Sequence, residues 1–267
     1  MSSAKVWLVG AGPGDPELLT LKAVRALRQA EVVMVDDLVN PEILEHCPQA
    51  RIIKVGKRGG CRSTPQAFIN RLMLRYARQG KTLVRLKGGD PCIFGRASEE
   101  AGWLAERGVP SEIVNGITSG LAGATQCGIP LTLRGVSRGV TLVTAHTQDD
   151  SELNWKGLAQ GGTTLVVYMG VAKLWQIQTG LLDGGMDAAT PVAMIEKASS
   201  PDQRHHGCRL DQLCDQAATF ELKSPAVLII GEVVAAAHVL NLPGTVEHQP
   251  GSRKTLLHQP LQNQAGA

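Results

Sequence analysis

The chain reads KVWLVGAGPGDP over residues 5–16, and this stretch decides what kind of fold can follow. Its opening run, apolar and β-branched, predicts a buried strand, which a dense set of glycines ends abruptly. Gly10 and Gly12 lie two residues apart, which allows a tight turn whose bare backbone can approach a ligand. Asp15 can cap the helix that follows, with Pro16 at its first position. The stretch therefore indicates a strand, a ligand-binding turn and a helix in immediate succession.

Strand-like and helix-like runs alternate along the rest of the chain, as in a parallel sheet with helices on its faces. We therefore expect an α/β fold with two α/β domains and a cleft between them. In the first half the expected strands are 5–9, 32–35, 52–55, 82–86 and 111–114, and the expected helices are 17–29, 66–78 and 97–106. After the glycine-rich passage 116–139, the expected strands are 140–144, 164–168, 192–196 and 226–230, and the expected helices are 172–182, 211–218 and 232–240.

This pattern also predicts where the domains begin and end. We expect an N-terminal α/β domain at residues 1–115, a connecting segment at 116–138 and a C-terminal α/β domain at 139–245. The remaining residues, 246–267, are rich in Gln and lack periodicity. We expect them to form a disordered tail.

Composition excludes several classes of protein. Hydrophobic residues make up 43% of the chain and charged residues 19%, as in a folded globular protein. No apolar run reaches the ~20 residues of a membrane helix and no secretion signal is visible, so we expect a cytoplasmic protein without membrane contacts. A net charge of +3, with only three Phe, four Trp and two Tyr residues, argues against nucleic-acid binding. The six cysteines form no C-x-x-C pair and His205-His206 lack partners at ligand spacing, so we expect no metal.

A second glycine segment, RLKGGDP, ends the fourth predicted strand at residues 85–91. In open α/β sheets, ligands bind beyond the carboxyl ends of the strands. Gly88 and Gly89 remove side chains from that edge of the sheet. Asp90 can accept a hydrogen bond from a ribose hydroxyl or a ligand amine, or it can cap a turn before the proline. Its position favours contact with a ligand.

A third segment, GITSG at residues 116–120, places small hydroxyl residues where a helix is expected to begin. Thr118 or Ser119 can serve as the N-cap of that helix by accepting a hydrogen bond from a backbone amide. The same residues can contact a ligand at the helix start. The sequence leaves both roles open, and one residue can fill both.

The first glycine segment nearly matches the dinucleotide-binding pattern G-x-G-x-x-G. Asp36, at the end of the second strand, even lies about where an acidic residue would bind the ribose of such a cofactor. Two residues argue against a dinucleotide. Asp15 replaces the third glycine and puts a negative charge where the pyrophosphate would lie. Pro13 removes one of the amides that would hold the pyrophosphate.

Positive charge accumulates near the predicted strand ends. A solvated face is the ordinary explanation of such a run, but arginines at a strand end can also hold a polyanionic ligand through paired hydrogen bonds to its carboxylates. Glu99 lies three residues after Arg96 on the same helix face, and His146 follows a strand. The basic residues are Arg51, Lys54, Lys57, Arg58, Arg62, Arg85, Lys87, Arg96, Arg134 and Arg138.

Taken together, these segments resemble the tetrapyrrole methyltransferase family over residues 5–240. The long stretches VGAGPGDPELLTLKA at 9–23 and RLKGGDPCIFGR at 85–96 are highly specific. Two departures from the usual family text are Asn115 in place of Pro, and Cys92-Ile93 in place of Phe-Val. The other matching stretches are DDLVNPEIL at 36–44, VGKRGG at 55–60, GITSG at 116–120, GIPLTLRG at 128–135, VTAH at 143–146, TLVVYMG at 164–170, PDQR at 201–204 and SPAVLIIGEVV at 224–234.

The resemblance implies a cofactor and a place for it. In this family, S-adenosylmethionine binds between the two domains, so the dinucleotide interpretation gives way. No metal is implied. The implied contacts with S-adenosylmethionine are Pro13, Gly88, Gly89, Asp90, Ile93, Thr118, Ser119, Met169, Ala198 and Ala226.

The resemblance also implies an activity, the transfer of two methyl groups to C-2 and C-7 of uroporphyrinogen III to give precorrin-2 for siroheme or cobalamin. A homodimer is implied as well. The alternatives are a later corrin-ring methyltransferase and a non-catalytic nucleotide-binding regulator. The implied substrate-binding residues are Arg51, Lys57, Arg96, Arg134, His146 and Met169, and the catalytic candidates are Asp36, Arg96 and Glu99. Because arginine is a poor base, we expect Arg96 to serve in binding or electrostatics in preference to proton removal.

Overall fold

The computed structural model describes residues 5–56, 64–146 and 153–239. They form two five-stranded sheets, each covered by helices, which confirms the predicted α/β class with two α/β domains. The limits of the domains that we drew from the sequence stay predictions. The expected tail at 246–267 lies outside the described residues.

The first sheet is entirely parallel and has the strand order β3-β2-β4-β1-β5. Strands β1 and β2 are continuous, buried apolar runs, VWLVG and VVMV, because helices cover both faces of the sheet. Helix α1 packs on one face, and α2 and α3 pack on the other. The strands are β1 (Val6–Gly10), β2 (Val32–Val35), β3 (Arg51–Lys54), β4 (Leu83–Lys87) and β5 (Ser111–Val114), and the helices are α1 (Leu21–Gln29), α2 (Gln66–Arg78) and α3 (Ala97–Ala105).

The strand order places a topological switch point between β4 and β1. From the end of β1 the chain crosses over β4 to form β2, whereas from the end of β4 it crosses over β1 to form β5. The two connections leave in opposite directions, which opens a crevice beyond the carboxyl ends of these strands. Ligands of open α/β sheets bind in such crevices.

The second sheet is mixed and has the order β6-β7-β10-β8-β9. Strands β6, β7 and β8 run in one direction, and β10 and β9 run in the other. The carboxyl ends of β6, β7 and β8 therefore share one edge with the amino ends of β10 and β9. The strands are β6 (Val140–Thr144), β7 (Thr164–Tyr168), β8 (Pro191–Glu196), β9 (Arg204–Arg209) and β10 (Ala226–Ile230).

Helix α4 (Ser119–Gln126) lies within the expected connecting segment and packs on the second sheet. Its small residues permit a close approach, since a methyl group added at Gly123 would lie 3.1 Å from the Cβ of Ala198. Helices α6 and α7 cover the opposite face of that sheet, with α5 packed against α6. Their ranges are α5 (Trp155–Gln160), α6 (Leu174–Asp183) and α7 (Leu213–Thr219).

Several sequence predictions needed correction. The helix expected at 17–29 is divided into a 3₁₀ turn (Pro16–Leu18) and α1, because the Thr20 hydroxyl accepts the Ala23 amide and begins a new helix there. Strand β9 was missed because its sequence, RHHGCR, is polar and partly exposed at the edge of the sheet. The final helix, Glu232–Val239, is of the 3₁₀ type.

No helix among the described residues is both long and apolar enough to cross a membrane.

We predict that Gly116→Ala destabilises the protein, because the added methyl group would overlap the Gly89 carbonyl oxygen and lie 2.8 Å from the Gly10 Cα. The free energy of unfolding should fall by ~1–3 kcal/mol. The control is Gly102→Ala on α3, where an added methyl group meets nothing within 4 Å. This variant should gain ~0.5–1 kcal/mol from helix propensity. Urea unfolding of both variants checks the pair, and equal effects would contradict it.

Candidate active site

The loops that follow β1 and β4 join into one backbone unit. The Ala11 amide donates to the Lys87 carbonyl (2.7 Å), and Gly12 and Gly89 exchange two hydrogen bonds of 3.2 and 2.7 Å. A methyl group at Gly10 would lie 2.5 Å from the Gly116 nitrogen, so the segment after β5 touches the same point. Three strand ends thus meet through bare backbone, which makes this edge of the sheet rigid before any ligand binds.

Asp90 fastens this unit. One carboxylate oxygen accepts the Cys92 amide (2.7 Å), and the other accepts the Gly116 amide (3.1 Å). The turn-capping role that the sequence left open for Asp90 is therefore present in the structure. Its contact with S-adenosylmethionine stays a prediction.

The two domains meet at Tyr168, the last residue of β7. Its hydroxyl lies 2.9 Å from the Thr118 hydroxyl and accepts the Gly120 amide at 3.1 Å. Phe94, in the loop after β4, packs on the Tyr168 ring with centroids 5.1 Å apart. Thr118 is at the N-cap position of α4, but its side chain makes this contact instead of a helix cap. Burial raises the pKa of the Tyr168 phenol, although these hydrogen bonds oppose the shift.

Predicted cofactor contacts from the C-terminal half lie along one edge of the second sheet. Met169 follows β7, Ala198 lies two residues after β8, and Ala226 begins β10. His146 follows β6 at the same edge. The loop after β8 reaches the first domain, since a methyl group at Gly14 would lie 3.3 Å from the Ala198 carbonyl oxygen. This edge of the second sheet therefore lies against the first glycine loop, and we refer to the space between the two sheets here as the cleft.

The loops around this cleft hold residues in the left-handed conformation. The φ angles are 53° at Phe94, 58° at Arg96, 54° at Met169, 48° at Lys197 and 68° at Ser199. For a residue with a side chain, this conformation costs roughly 1–2 kcal/mol. Such strain tends to collect at functional sites. Its concentration after β4, β7 and β8 marks the cleft independently of any motif.

Asp36 lies in a ring of four charged side chains at the ends of β2 and β4. The Arg85 Nη2 donates to the Asp36 Oδ1 at 2.6 Å, and its Nε donates to the Glu100 Oε1 at 3.3 Å. The Lys87 Nζ lies 3.2 Å from the Glu100 Oε2 and 3.9 Å from the Asp36 Oδ2. Burial lowers the pKa of the Lys87 ammonium; Arg85 lowers it further, and the two carboxylates act in the opposite direction.

Arg96 and Glu99 form an ion pair at the start of α3. The guanidinium donates to the carboxylate with a shortest distance of 2.6 Å, and the Arg96 side chain is 44% exposed. Hydrogen bonds from Arg96 lower the pKa of the Glu99 carboxyl. Arg96 directly follows the β4 loop, and its contact with an anionic ligand at this edge stays a prediction.

The remaining predicted contacts are small or half-buried residues close to the same loops. Pro13 lies in the first glycine loop, Ser119 begins α4, and Gly88 packs against the 36–40 loop, where an added methyl group would lie 3.0 Å from the Leu38 Cβ. Ile93 packs against the core of the second sheet and so ties the β4 loop to the other domain.

Two of the predicted substrate-binding residues, Arg51 and Arg134, lie away from this cleft. Arg51 begins β3 and pairs with the first residue of β2, so it lies at the amino edge of the first sheet, opposite the glycine loops. Arg134 lies in the 133–137 turn, which Ser137 fastens to Thr164 at the amino end of β7. Lys57 lies outside the described residues. The predicted strand 52–55 already put Arg51 at the amino end of β3, so only its charge suggested a substrate contact, and that contact stays a prediction.

Sequence reasoning missed Tyr168, Phe94 and Glu100. Tyr168 and Phe94 lie within segments that we singled out. The sequence signal for them is an aromatic residue beside glycines at a strand end, which offers a packing surface for a ligand. Glu100 carried no such signal. Its charge partners lie 13 and 15 residues earlier on β4, and only the crossing of α3 over the sheet brings them together.

The structure agrees with the rejection of a dinucleotide. The Asp15 carboxylate accepts the Glu17 amide and so caps the 3₁₀ turn that would receive a pyrophosphate. A negative charge at the amino end of the turn repels a second anion.

Among residues 5–56, 64–146 and 153–239, no three His, Cys, Asp or Glu side chains lie together as a metal site requires. Burial raises the pKa of the Cys127 thiol to about 11, and burial with nearby Asp211 raises that of Cys208 to about 12. Both thiols are therefore protonated and unreactive near neutral pH.

A parallel sheet with a glycine-lined switch point, joined to a mixed sheet, defines a two-domain α/β protein. The chain matches the family model Tetrapyrrole (Corrin/Porphyrin) Methylases over residues 5–214, and it belongs to that family.

Individual proteins within this family resemble the chain more specifically. The chain is 74% identical over 231 residues to a uroporphyrinogen-III C-methyltransferase of Pseudomonas aeruginosa, a match that covers 86% of this chain and 94% of the relative. It is 46% identical to siroheme synthase 2 of Aeromonas hydrophila, covering 86% of this chain and 49% of that longer protein. A uroporphyrin-III C-methyl transferase from Thermus thermophilus, solved with S-adenyl homocysteine, superposes with a TM-score of 0.76 at 42% identity, covering 87% and 100% of the two chains.

We predict that Thr118, at the N-cap of α4, and Tyr168, at the end of β7, are energetically coupled. Tyr168→Phe leaves the buried Thr118 hydroxyl and the Gly120 amide without this partner, and Thr118→Val leaves the phenol with one partner fewer. Each change should cost ~1–3 kcal/mol of stability. The double variant should cost less than the sum by more than ~0.5 kcal/mol. Urea unfolding of the four proteins measures the coupling, and additive costs would show that the hydrogen bond contributes little.

Proposed function

We propose that this protein transfers methyl groups from S-adenosylmethionine to C-2 and C-7 of uroporphyrinogen III, giving precorrin-2 for siroheme or cobalamin synthesis. The observation that carries the proposal is the 74% identity to a protein of that name over 94% of its length. The likeness to a siroheme synthase supports the same pathway. We further propose that the protein acts in the cytoplasm as a homodimer, without nucleic-acid or membrane partners.

The cleft fits S-adenosylmethionine better than it fits a phosphate-bearing cofactor. Adenosine is neutral and partly apolar, and the sulfonium is cationic. The cleft loops offer bare backbone at Gly88 and Gly89, apolar surface at Ile93 and Met169, and a carboxylate at Asp36. The likeness to a structure solved with S-adenyl homocysteine supports this choice. S-adenosylmethionine supplies an electrophilic methyl group, so the protein does not have to activate it.

The main task of the protein is to align the methyl group with the electron-rich pyrrole carbon and to exclude water. Orientation of this kind can lower a barrier by ~7–11 kcal/mol. The backbone unit formed by Gly10, Gly12 and Gly89 keeps one wall of the cleft fixed, and the Phe94–Tyr168 contact keeps the domains together. A cleft that is rigid before binding loses little energy to rearrangement during the reaction.

A proton must also leave the macrocycle after methylation. We propose Asp36 as the group that accepts it, because its carboxylate is fixed by Arg85 yet its side chain remains 29% exposed. A general base must be held within reach of the proton it removes. Glu99 is less suited to the task, since it is committed to Arg96 at the exposed start of α3.

The substrate carries many carboxylates, and an exposed guanidinium is the best group to hold one of them. Arg96 fits this role because it follows the β4 loop directly. We propose His146, at the facing edge of the second sheet, as a further contact. Arg51, Lys57 and Arg134 remain candidates from the sequence alone.

Incubation of the protein with S-adenosylmethionine and uroporphyrinogen III tests the proposal. We expect a product with two added methyl groups, detected by mass spectrometry, and one S-adenosylhomocysteine for each transfer. Methylation of a corrin-ring intermediate alone would favour the later methyltransferase. Cofactor binding without any transfer would favour a regulator. Either result would overturn the proposal.

We predict that Arg96→Ala impairs turnover of uroporphyrinogen III but spares S-adenosylmethionine affinity, because Arg96 holds substrate carboxylates while the sulfonium is itself cationic. A charge-assisted hydrogen bond of ~1.5–3 kcal/mol corresponds to a loss of roughly ten- to hundred-fold in kcat/KM. Arg96→Lys should recover part of it, because it keeps the charge without the two-pronged geometry. Methyl-transfer kinetics and calorimetric titration measure the two effects.

The matched control is Arg107→Ala, which removes an exposed arginine from the far end of α3, where it pairs with Glu106. Its turnover should equal that of the wild type. If Arg96→Ala and Arg107→Ala behave alike, Arg96 does not contact the tetrapyrrole.

A further inference from the structure

The ring of Asp36, Arg85, Glu100 and Lys87, defined above by its four contacts, alternates in charge and has no net charge. Three members are nearly inaccessible: the exposed fraction of the side chain is 2% for Arg85, 6% for Lys87 and 0% for Glu100. Only Asp36 reaches solvent, at the cleft end of β2. The ring therefore connects a buried charge cluster to a single accessible carboxylate.

Stability alone is a poor explanation for this ring. Removing charged groups from water costs several kcal/mol per ion, and apolar replacements of buried ion pairs are often neutral or stabilising. A parallel sheet covered by helices could fill the same space with apolar side chains, as its neighbouring positions do. The cost of burying these charges is explained if the ring acts on Asp36, the one member that faces the cleft.

The two central members of the ring, Arg85 and Glu100, are fixed by different contacts. Arg85 is fixed by the carbonyls of Met34 and Leu86 in addition to the two carboxylates, so its guanidinium has little freedom to turn. Glu100 is held from α2 by the Gln66 amide at 2.9 Å. The Glu100 Oε2 has no hydrogen bond of good geometry, and its nearest opposite charge is the Lys87 ammonium. Glu100 thus balances both buried cations.

We propose that Lys87 and Glu100 are positioning residues for the methylation reaction, and that their balanced charges hold the Asp36 carboxylate in its working orientation. The inference rests on the proposed function and deepens it. Neither residue touches the cleft, and both act through Arg85 and Asp36. What the reaction requires is equal positive and negative charge in the ring, with Asp36 counted as a member, so loss of either Lys87 or Glu100 should do more harm than loss of both.

Three variants test this balance. Lys87→Met leaves two carboxylates competing for one guanidinium, and Glu100→Gln leaves two cations facing one carboxylate. Each should lower kcat by more than about ten-fold, because an unbalanced buried charge displaces its neighbours. The double variant Lys87→Met/Glu100→Gln retains the neutral Arg85–Asp36 pair, so its kcat should return to within about five-fold of the wild type through the coupling of contacting residues.

Cofactor affinity separates this role from a structural one. Each variant is titrated with S-adenosylhomocysteine by calorimetry, and its thermal unfolding is recorded. We expect affinity within about three-fold of the wild type, because the ring lies beneath the cleft wall and the change is local. The matched control is Lys81→Met/Glu31→Gln, which removes an exposed Lys–Glu pair of 2.8 Å at the amino end of β4. It should leave kcat unchanged.

Several results would overturn the proposal. Folded single variants with the kcat of the wild type would make the ring a stability element, and so would single variants that fail to fold. A double variant as slow as the product of the two single effects would reject the requirement for charge balance. If the wild type itself transfers no methyl group to uroporphyrinogen III, the proposed function fails first, whereas an active wild type leaves the decision to the variants.

Discussion

The close approach of three backbones beyond the ends of β1, β4 and β5 is the constraint on which the rest of the structure depends. Gly10, Gly89 and Gly116 lie so near one another that a side chain at Gly10 or Gly116 would collide with neighbouring backbone. Asp90 then fastens this contact with two hydrogen bonds. The crevice at the switch point is consequently shaped by main chain, which has no rotamers to order when a ligand arrives. Its geometry is set by folding and not by binding.

The second domain depends on that constraint through α4. The segment after Gly116 is directed by the backbone contact into α4, and α4 packs on the second sheet through small residues such as Gly123. Tyr168 then completes the junction by bonding Thr118 and the Gly120 amide. A helix that directly follows the backbone contact at the first sheet and packs on the second sheet leaves little freedom for the two sheets to separate. The cleft is therefore bounded by two walls that share one rigid element.

The sequence predicted the parts of the molecule that local chemistry determines. The apolar runs gave most strands, Asp15 was correctly identified as a cap, and the glycine segments located one wall of the cleft. What sequence could not give is contact between distant elements. Glu100 meets Lys87 only because α3 crosses the sheet. Arg51 was expected in the site because of its charge, but a basic residue is compatible with either end of an exposed edge strand.

The charges of the cleft follow from the two ligands that the proposed reaction brings together. One is a sulfonium cation and the other is a polyanion, so a cleft of uniform sign would repel one of them. The structure separates the signs instead: Asp36 offers a carboxylate within the crevice, and Arg96 offers an exposed guanidinium where the β4 loop enters α3. A carboxylate held only by two cations would be fully neutralised and of little use to a passing cation or proton. Glu100 offsets the charge of the two cations from the buried side of the ring. The negative charge of Asp36 therefore remains available at the cleft surface, where the chemistry takes place.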